Sequence, residues 1–290
     1  MGNIDLVALE IFKTVAEQGG ITKAAASLHR VQSNVTTRVK QLEERLGTRL
    51  FLRRNRRLTL SPEGKLLLAY ADRLLRLSSE AEAALHSGVP RGLLQIGALE
   101  SVAATRLPRL LARYHQTYPD VRIELSTGTT GALVDRVASD EIEAALVAEP
   151  FTATDLEAEP VFREELVLIT PRTLPKIRTA RDIGHTTVIA FATGCAYRRR
   201  LEAWLGRAGV VPERILEFGS YHAIVACVAA GAGIAIAPRA VLRALGAGQD
   251  VVAHRLPPDV AKARTCLVWR RGHRSAALAA LRSELARAAR

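Results

Sequence analysis

The sequence predicts a mixed α/β chain in three parts: a small helical head closed by a hairpin, one long helix, and a large region of alternating strands and helices. Three observations predict it. Apolar residues at 31, 35, 39, 42 and 46 form the stripe of an amphipathic helix, just after an alanine-rich segment. Ser61-Pro62-Glu63 joins a capping hydroxyl, a proline and an acid, a helix start whose run continues until Gly88, Pro90 and Gly92 break it. Beyond Leu93, short apolar runs alternate with helical segments.

Taken in order, Ile4 to about Glu17 reads as a helix with Leu6, Leu9, Phe12 and Ala16 on one side, ended by Gly19-Gly20. Thr22 is expected to cap a short helix that begins Lys23-Ala24-Ala25-Ala26 and runs to Leu28 or His29. The alanines let a third helix, starting near Gln32, approach closely. Val31, Val35, Val39, Leu42 and Leu46 supply its buried stripe, while Gln32, Ser33, Asn34, Thr36, Thr37 and Arg38 open the opposite face. Two helices joined by a tight turn, the second presenting hydrogen-bonding groups at its start, is the helix-turn-helix plan, whose second helix reads base edges in the major groove. Thr22 and Lys40 complete the candidate contacts on this head.

Gly47 is expected to end the third helix, and Leu50-Phe51-Leu52 to pair with Leu58-Thr59-Leu60 as a hairpin. Its tip carries Arg53, Arg54, Arg56 and Arg57, which suits a wing on phosphates or in a minor groove. Residues 30–57 hold nine Lys/Arg against Glu43 and Glu44. A charge run alone reads as an ordinary solvated basic face. The capped helix, apolar stripe and arginine tip together point to double-stranded DNA.

These segments carry a family resemblance. Leu9-x-x-Phe12, Thr22-x-Ala24-Ala25-x-x-Leu28, Gln32-Ser33-x-Val35-Thr36, Leu42-Glu43-x-x-Leu46-Gly47, Leu50-Phe51-x-Arg53 and Leu58-Thr59-x-Ser61-x-x-Gly64 follow one another in an order that resembles the LysR-type transcriptional regulators. The resemblance covers essentially the whole chain and is most distinctive over residues 4–64. It implies a regulator of promoter operators with a winged helix-turn-helix at 1–60, a linker or dimerisation helix at 61–88, and an effector-binding domain at 89–290. That last domain is expected to be two-lobed and periplasmic-binding-protein-like (type 2). The resemblance also implies a homotetramer built from two dimers.

Length and composition agree. A chain of 290 residues has room for two or three compact units, and 48% hydrophobic with 24% charged residues describes a globular protein. The net charge of +12 is spread over the chain, so the local arginine cluster argues for DNA better than the total does. Cys195, Cys227 and Cys266 form no CxxC and no disulfide framework, which fits a reducing cytoplasm. Asp5 and Glu10 interrupt any export signal, and the longest uncharged stretch, Ala223 to Pro238, is too short to span a membrane.

Along the long helix, expected to end near His86, Leu67, Tyr70, Leu74, Leu77, Ala81 and Ala84 alternate spacings of three and four. The plain alternative is the buried face of one amphipathic helix. With no neighbouring helix of comparable length, a second copy of the chain is the expected partner, giving a homodimer through residues 61–86.

From Leu93 the strands are expected near 93–97, 121–126 and 144–147, with helices near 104–117 and 131–139, in a parallel α/β pattern. A second group begins at 162–170 and continues with strands near 187–191, 214–218 and 233–237. A strand at 264–269 crosses back, and a helix at 275–289 closes the chain. This divides the region into lobe I, 91–161 plus 267–290, and lobe II, 162–266. Ligands in such lobes bind at the carboxyl ends of strands, beside helix starts. The candidates there are Ser101, Thr127, Thr129, Thr130, Thr193, Cys195, Tyr197, Arg198, Ser220 and His222, a set suited to a small, anionic or carboxylate-bearing effector. The alternative is that Ser101, Thr127 and Ser220 only cap helices. Cys195, near Arg198, Arg199 and Arg200, is expected to have a lowered pKa, which permits oxidant sensing; the alternative is a small polar pocket residue. No metal or cofactor is expected, because no His/Cys/carboxylate cluster has ligand spacing and Gly231-Ala232-Gly233 is too short for a dinucleotide loop. No nucleophile–base pair suggests an enzyme. The competing readings are a cysteine-based redox regulator and a solute-binding protein without DNA specificity.

Overall fold

The computed structural model describes residues 4–54, 57–85, 89–152, 154–184 and 186–288. The chain divides into two compact units between Gly88 and Val89.

The first unit holds α1 (Leu6–Gln18), α2 (Ile21–Ser27), α3 (Gln32–Leu46), β1 (Phe51–Arg54), β2 (Arg57–Leu60) and α4 (Pro62–Leu85). Asp5 caps α1 by accepting from Val7 N, and Gly19 ends it in the left-handed backbone region. α1 is buried on two sides. Ile11 and Val15 pack against Ala24 and Ala25 of α2 and Val35 and Val39 of α3. Leu9 and Phe12 pack against Leu42, Leu50 and Ala71 of α4. The sequence reading gave α1 a single face. It therefore missed Ile11 and Val15 and placed inside Leu6, which is 41% exposed.

Two further expectations change. Gly20 precedes α2 and Thr22 lies within it, so Thr22 is not the cap. Val31 is the extended residue before α3, outside the helical stripe, and is 68% exposed. Gly47 does end α3 in the left-handed region.

β1 and β2 pair antiparallel from Phe51↔Leu60 to Arg54↔Arg57. Arg56 lies outside the described residues. Ser61 then joins hairpin to helix: its Oγ donates to Arg49 O at 2.7 Å and accepts from Gly64 N at 2.8 Å. Lys13 of α1 reaches Asp72 of α4 at 2.5 Å. Leu67, expected in the outward seam, instead packs partly against the core of the unit. α4 thus has a second apolar face: Leu66, Tyr70, Leu74 and Leu77 remain exposed at 62%, 52%, 41% and 61%. Of the seam's end, Ala81 is exposed, whereas the side chain of Ala84 and all of His86 lie outside what is described.

The second unit begins with β3 (Gly92–Ala98), α5 (Glu100–Thr105), α6 (Leu107–Thr117), β4 (Val121–Thr127), α7 (Thr130–Ala138), β5 (Ala144–Ala148) and β6 (Leu156–Thr170). It continues with β7 (Val188–Ala190), α8 (Ala196–Arg207), β8 (Ile215–Glu217), α9 (Tyr221–Ala229), β9 (Ala235–Pro238), α10 (Arg239–Ala244) and β10 (Val252–Arg255). α11 (Pro258–Ala261), β11 (Lys262–Arg270) and α12 (Ala276–Ala288) close it. The main sheet runs β10-β6-β11-β5-β3-β4, with β9 also on β6; β7 and β8 pair separately.

The sheet is mixed, not parallel throughout. β3 is parallel to β4 and β5, and β7 to β8. β6 and β11 run antiparallel to each other, β11 also to β5, and β6 to β9 and β10. The reason is the length of β6: its fifteen residues start at Leu156, so its first half pairs with β11 and its end with β9 and β10. The single helix expected near 104–117 is two, because the chain turns at Arg106 and Pro108 opens a new helix. Gly92 is the first residue of β3, not part of a break. Among the described residues no helix is long and apolar enough to cross a membrane.

Candidate functional site

In the first unit the start of α3 is presented to solvent. Gln32, Ser33, Asn34, Thr37, Arg38 and Lys40 are exposed, as is Thr22 on α2, whereas Val35, Val39 and Leu42 point into the core. Thr36 is half-buried and its hydroxyl donates back to Gln32 O at 2.9 Å, so that donor is already used. Arg38 lies 3.9 Å from Asp5, an exposed and weak pair. The backbones of Arg53, Arg54 and Arg57 lie in the hairpin strands.

The sequence reading treated Glu43 only as a charge opposing the arginines. Its Oε1 accepts from Leu50 N at 2.7 Å and from Phe51 N at 3.1 Å, which fixes the start of the hairpin to α3. Donor-rich side chains at a helix start, beside an arginine-bearing hairpin, are equipped for base edges and phosphates.

In the second unit a cleft of about 350 Å³ opens at the carboxyl ends of four strands. Glu100 follows β3, Thr127–Thr129 follow β4, Phe191 and Ala192 follow β7, and Glu217–Gly219 follow β8. Gly131 N donates across to Gly194 O at 3.1 Å, with Gly194 in the left-handed region.

The expected ligand residues are only partly brought together. Thr127 and Thr129 line the cleft. Thr129, rather than Thr127, caps α7 by accepting from Ala132 N. Thr130 is fully buried and its hydroxyl bridges Ala148 O and N, so it belongs to the core. Ser101 and Tyr197 are buried, and Thr193 is exposed outside the lining. Ser220 caps α9, accepting from His222 N at 3.2 Å, and His222 is exposed. Arg198, expected to meet an anion, is held by Glu202 at 2.7 Å, Glu217 at 2.5 Å and Phe191 O at 3.1 Å. The sequence points to the stretch 98–101 but to Ser101 rather than Glu100 within it, and it does not point to Phe191, Glu217 or Phe218. Glu100 had a visible signal, since it is the acid in the turn from a predicted strand into a helix.

Burial pushes the Glu100 carboxyl above its ordinary value, against the Tyr221 N–H bond and the nearby His222, which favour the charged form. Cys195 reverses its expectation. It sits before α8, but at 8% exposure burial raises its pKa and outweighs the backbone N–H groups and Arg198 that stabilise a thiolate. Cys266 is pushed up to about 11 by burial beside Glu149. Native protein treated with a thiol reagent at neutral pH is therefore expected to modify Cys227, which is partly exposed, well before Cys195 and Cys266. Peptide mapping after a short exposure checks this; first labelling at Cys195 would restore the redox reading. Among the described residues no group of His, Cys, Asp or Glu is placed to hold a metal.

Residues 6–65 match the family described as bacterial regulatory helix-turn-helix protein, lysR family, and residues 87–290 match the LysR substrate binding domain. The chain belongs to the LysR family. As a LysR-family protein it is a DNA-binding transcriptional regulator with an effector-binding domain. Its relatives include the uncharacterized HTH-type transcriptional regulator YusT of Bacillus subtilis, 42% identical over 264 residues, covering 91% of this chain and 88% of that protein. The HTH-type transcriptional regulator GltR of the same organism is 41% identical over 241 residues, covering 83% and 81%. Full-length CbnR in complex with its target DNA shares the fold at a TM-score of 0.71 and 22% identity, covering 98% of this chain and all of that one.

Proposed function

We propose that this LysR-family regulator binds two-fold symmetric promoter operators through paired reading heads and alters that binding when a small molecule occupies the cleft. The carrying observation is the start of α3, where Gln32, Ser33, Asn34, Thr37 and Arg38 stand exposed on a helix whose other face is core. Residues 1–60 form the reading head, with Lys40 and Thr22 at its margins and Arg53, Arg54, Arg56 and Arg57 on phosphate or in the minor groove. Residues 61–88 dimerise, two dimers form a tetramer, and 89–290 bind the effector between lobe I (91–161 plus 267–290) and lobe II (162–266). Occupancy shifts the population between arrangements that space the heads differently. The protein works in the cytoplasm and has no enzymatic turnover. The complex of CbnR with its target DNA supports the DNA reading.

Genome-wide footprinting of the purified protein at physiological salt tests the reading. Discrete symmetric sites upstream of genes are expected; uniform binding that vanishes with salt would overturn it. Arg54→Ala should weaken binding to all sequences and lower the salt slope by about 1. Ser33→Ala should instead cost about 1–3 kcal/mol at the operator and little on random DNA. Thr36→Ala is the poorer probe because its hydroxyl is bonded within α3.

A further inference from the structure

The lining of the cleft offers two carboxylates and two threonine hydroxyls, and no cationic side chain. An anionic ligand needs free N–H groups or a cation, and the obvious ones are taken. At the start of α7, Gly131 N is bonded to Gly194 O and Ala132 N to Thr129 Oγ1. At the start of α9, Tyr221 N points to Glu100 Oε1 at 3.4 Å and His222 N to Ser220 Oγ. Arg198 is held by two carboxylates and a carbonyl. The charged side chains of the lining are both acids, Glu100 and Glu217, and Glu217 already has Arg198.

Glu100 is different. Its Oε2 is buried and has no hydrogen-bond partner. Among the described residues the other buried side-chain atoms in that condition are Ser101 Oγ, Tyr197 Oη and Thr265 Oγ1. Ser101, Tyr197 and Thr265 are 3%, 2% and 0% exposed. Tyr197 lies beside both Ser101 and Thr265, close enough for those three hydroxyls to serve one another. A buried oxygen without a partner costs free energy unless something donates to it, and of these four residues Glu100 is the one that lines the cleft. Phe191 and Phe218 add aromatic wall, and ring faces attract cations.

We propose that the effector of this cleft carries a cationic nitrogen, an ammonium or guanidinium, that pairs with Glu100. This rests on the reading of the cleft as the effector site and deepens it. A volume of about 350 Å³ fits a small amine or amino acid rather than a nucleotide. Such a group brings several N–H donors to Glu100, and regains in charge-assisted bonds what its own desolvation costs.

The test uses the full-length protein with agmatine, putrescine and L-arginine against benzoate, succinate and glutarate, read by thermal shift and then by calorimetry. At least one of the three cationic probes is expected to bind. Its affinity should fall about tenfold or more in Glu100→Gln, the loss of one charge-assisted bond. Glu100→Asp, which keeps the charge, should retain the preference for cations and stands in if the Gln variant folds poorly. Binding of carboxylates alone, undiminished in Glu100→Gln, overturns the cationic effector while leaving the effector site in place. Cation binding that is equal in Glu100→Gln and wild type also overturns it. If none of the six probes shifts the melting of wild-type protein, the effector reading of the cleft fails and this proposal falls with it.

Discussion

Leu77→Asp is expected to convert the protein to monomers and to weaken operator binding by about 100-fold, or ~3 kcal/mol. Leu66, Tyr70, Leu74 and Leu77 make an exposed apolar stripe on α4, while Leu67 and Ala71 on the same helix are turned to the core. Burying one leucine side chain stabilises an interface by about 1.5–3 kcal/mol, and in a two-fold dimer each substitution acts twice. A monomer has one head, and it loses the second half-site contact that a linked head makes at a high effective concentration. Sedimentation gives the oligomeric state and a mobility-shift titration gives the affinity. Because Leu77 is 61% exposed, the variant should keep the circular dichroism of the wild type. A folded variant that stays dimeric would remove this stripe from the interface.

Gly64→Ala is expected to destabilise the reading head by about 3 kcal/mol, the upper end of overpacking costs. A Cβ at this position would sit 2.1 Å from Leu50 O and 3.0 Å from Leu60 Cδ2. The carbonyl cannot swing aside cheaply, since Leu50 O accepts from Ser61 N at 2.9 Å in the junction between β1 and α4. Calorimetry should show the transition of the first unit moved down while that of the second unit holds. Operator binding should fall in parallel. An unchanged melt would mean the junction can relax in a way the packing here does not suggest.

The reading head was legible in the sequence because its signals are local. The stripe of α3, the left-handed stop at Gly47 and the cap at Ser61 each depend on neighbours within a few residues. Apart from the helix start at Gly20, the failures there have one cause, that burial depends on partners. α1 buries two faces and α4 carries one buried and one exposed apolar face, so a single stripe misplaced Leu6 and Leu67. In the second unit the strand positions were legible, but strand direction was not: the antiparallel course of β6 and β11 is set by pairing across about a hundred residues. The ligand cleft was read from the right turns but often the wrong residue. Thr130 and Ser101 face inward while Glu100 lines the space, and no spacing in a turn announces that. Cys195 was misjudged because its neighbours in sequence are basic, whereas its burial comes from elsewhere in the fold.

The bonds from Glu43 to the first strand of the hairpin have a consequence for control. With one carboxylate holding both Leu50 N and Phe51 N, recognition helix and wing form a single stamp whose imprint does not vary. A signal from the ligand domain then has little to adjust within a head, and under the proposed function what it adjusts is the gap between two stamps. Of two operators, one lengthened and one shortened by a base pair between its halves, the one that matches the changed gap should therefore answer the same ligand in the opposite sense, with tight binding where the natural site binds loosely.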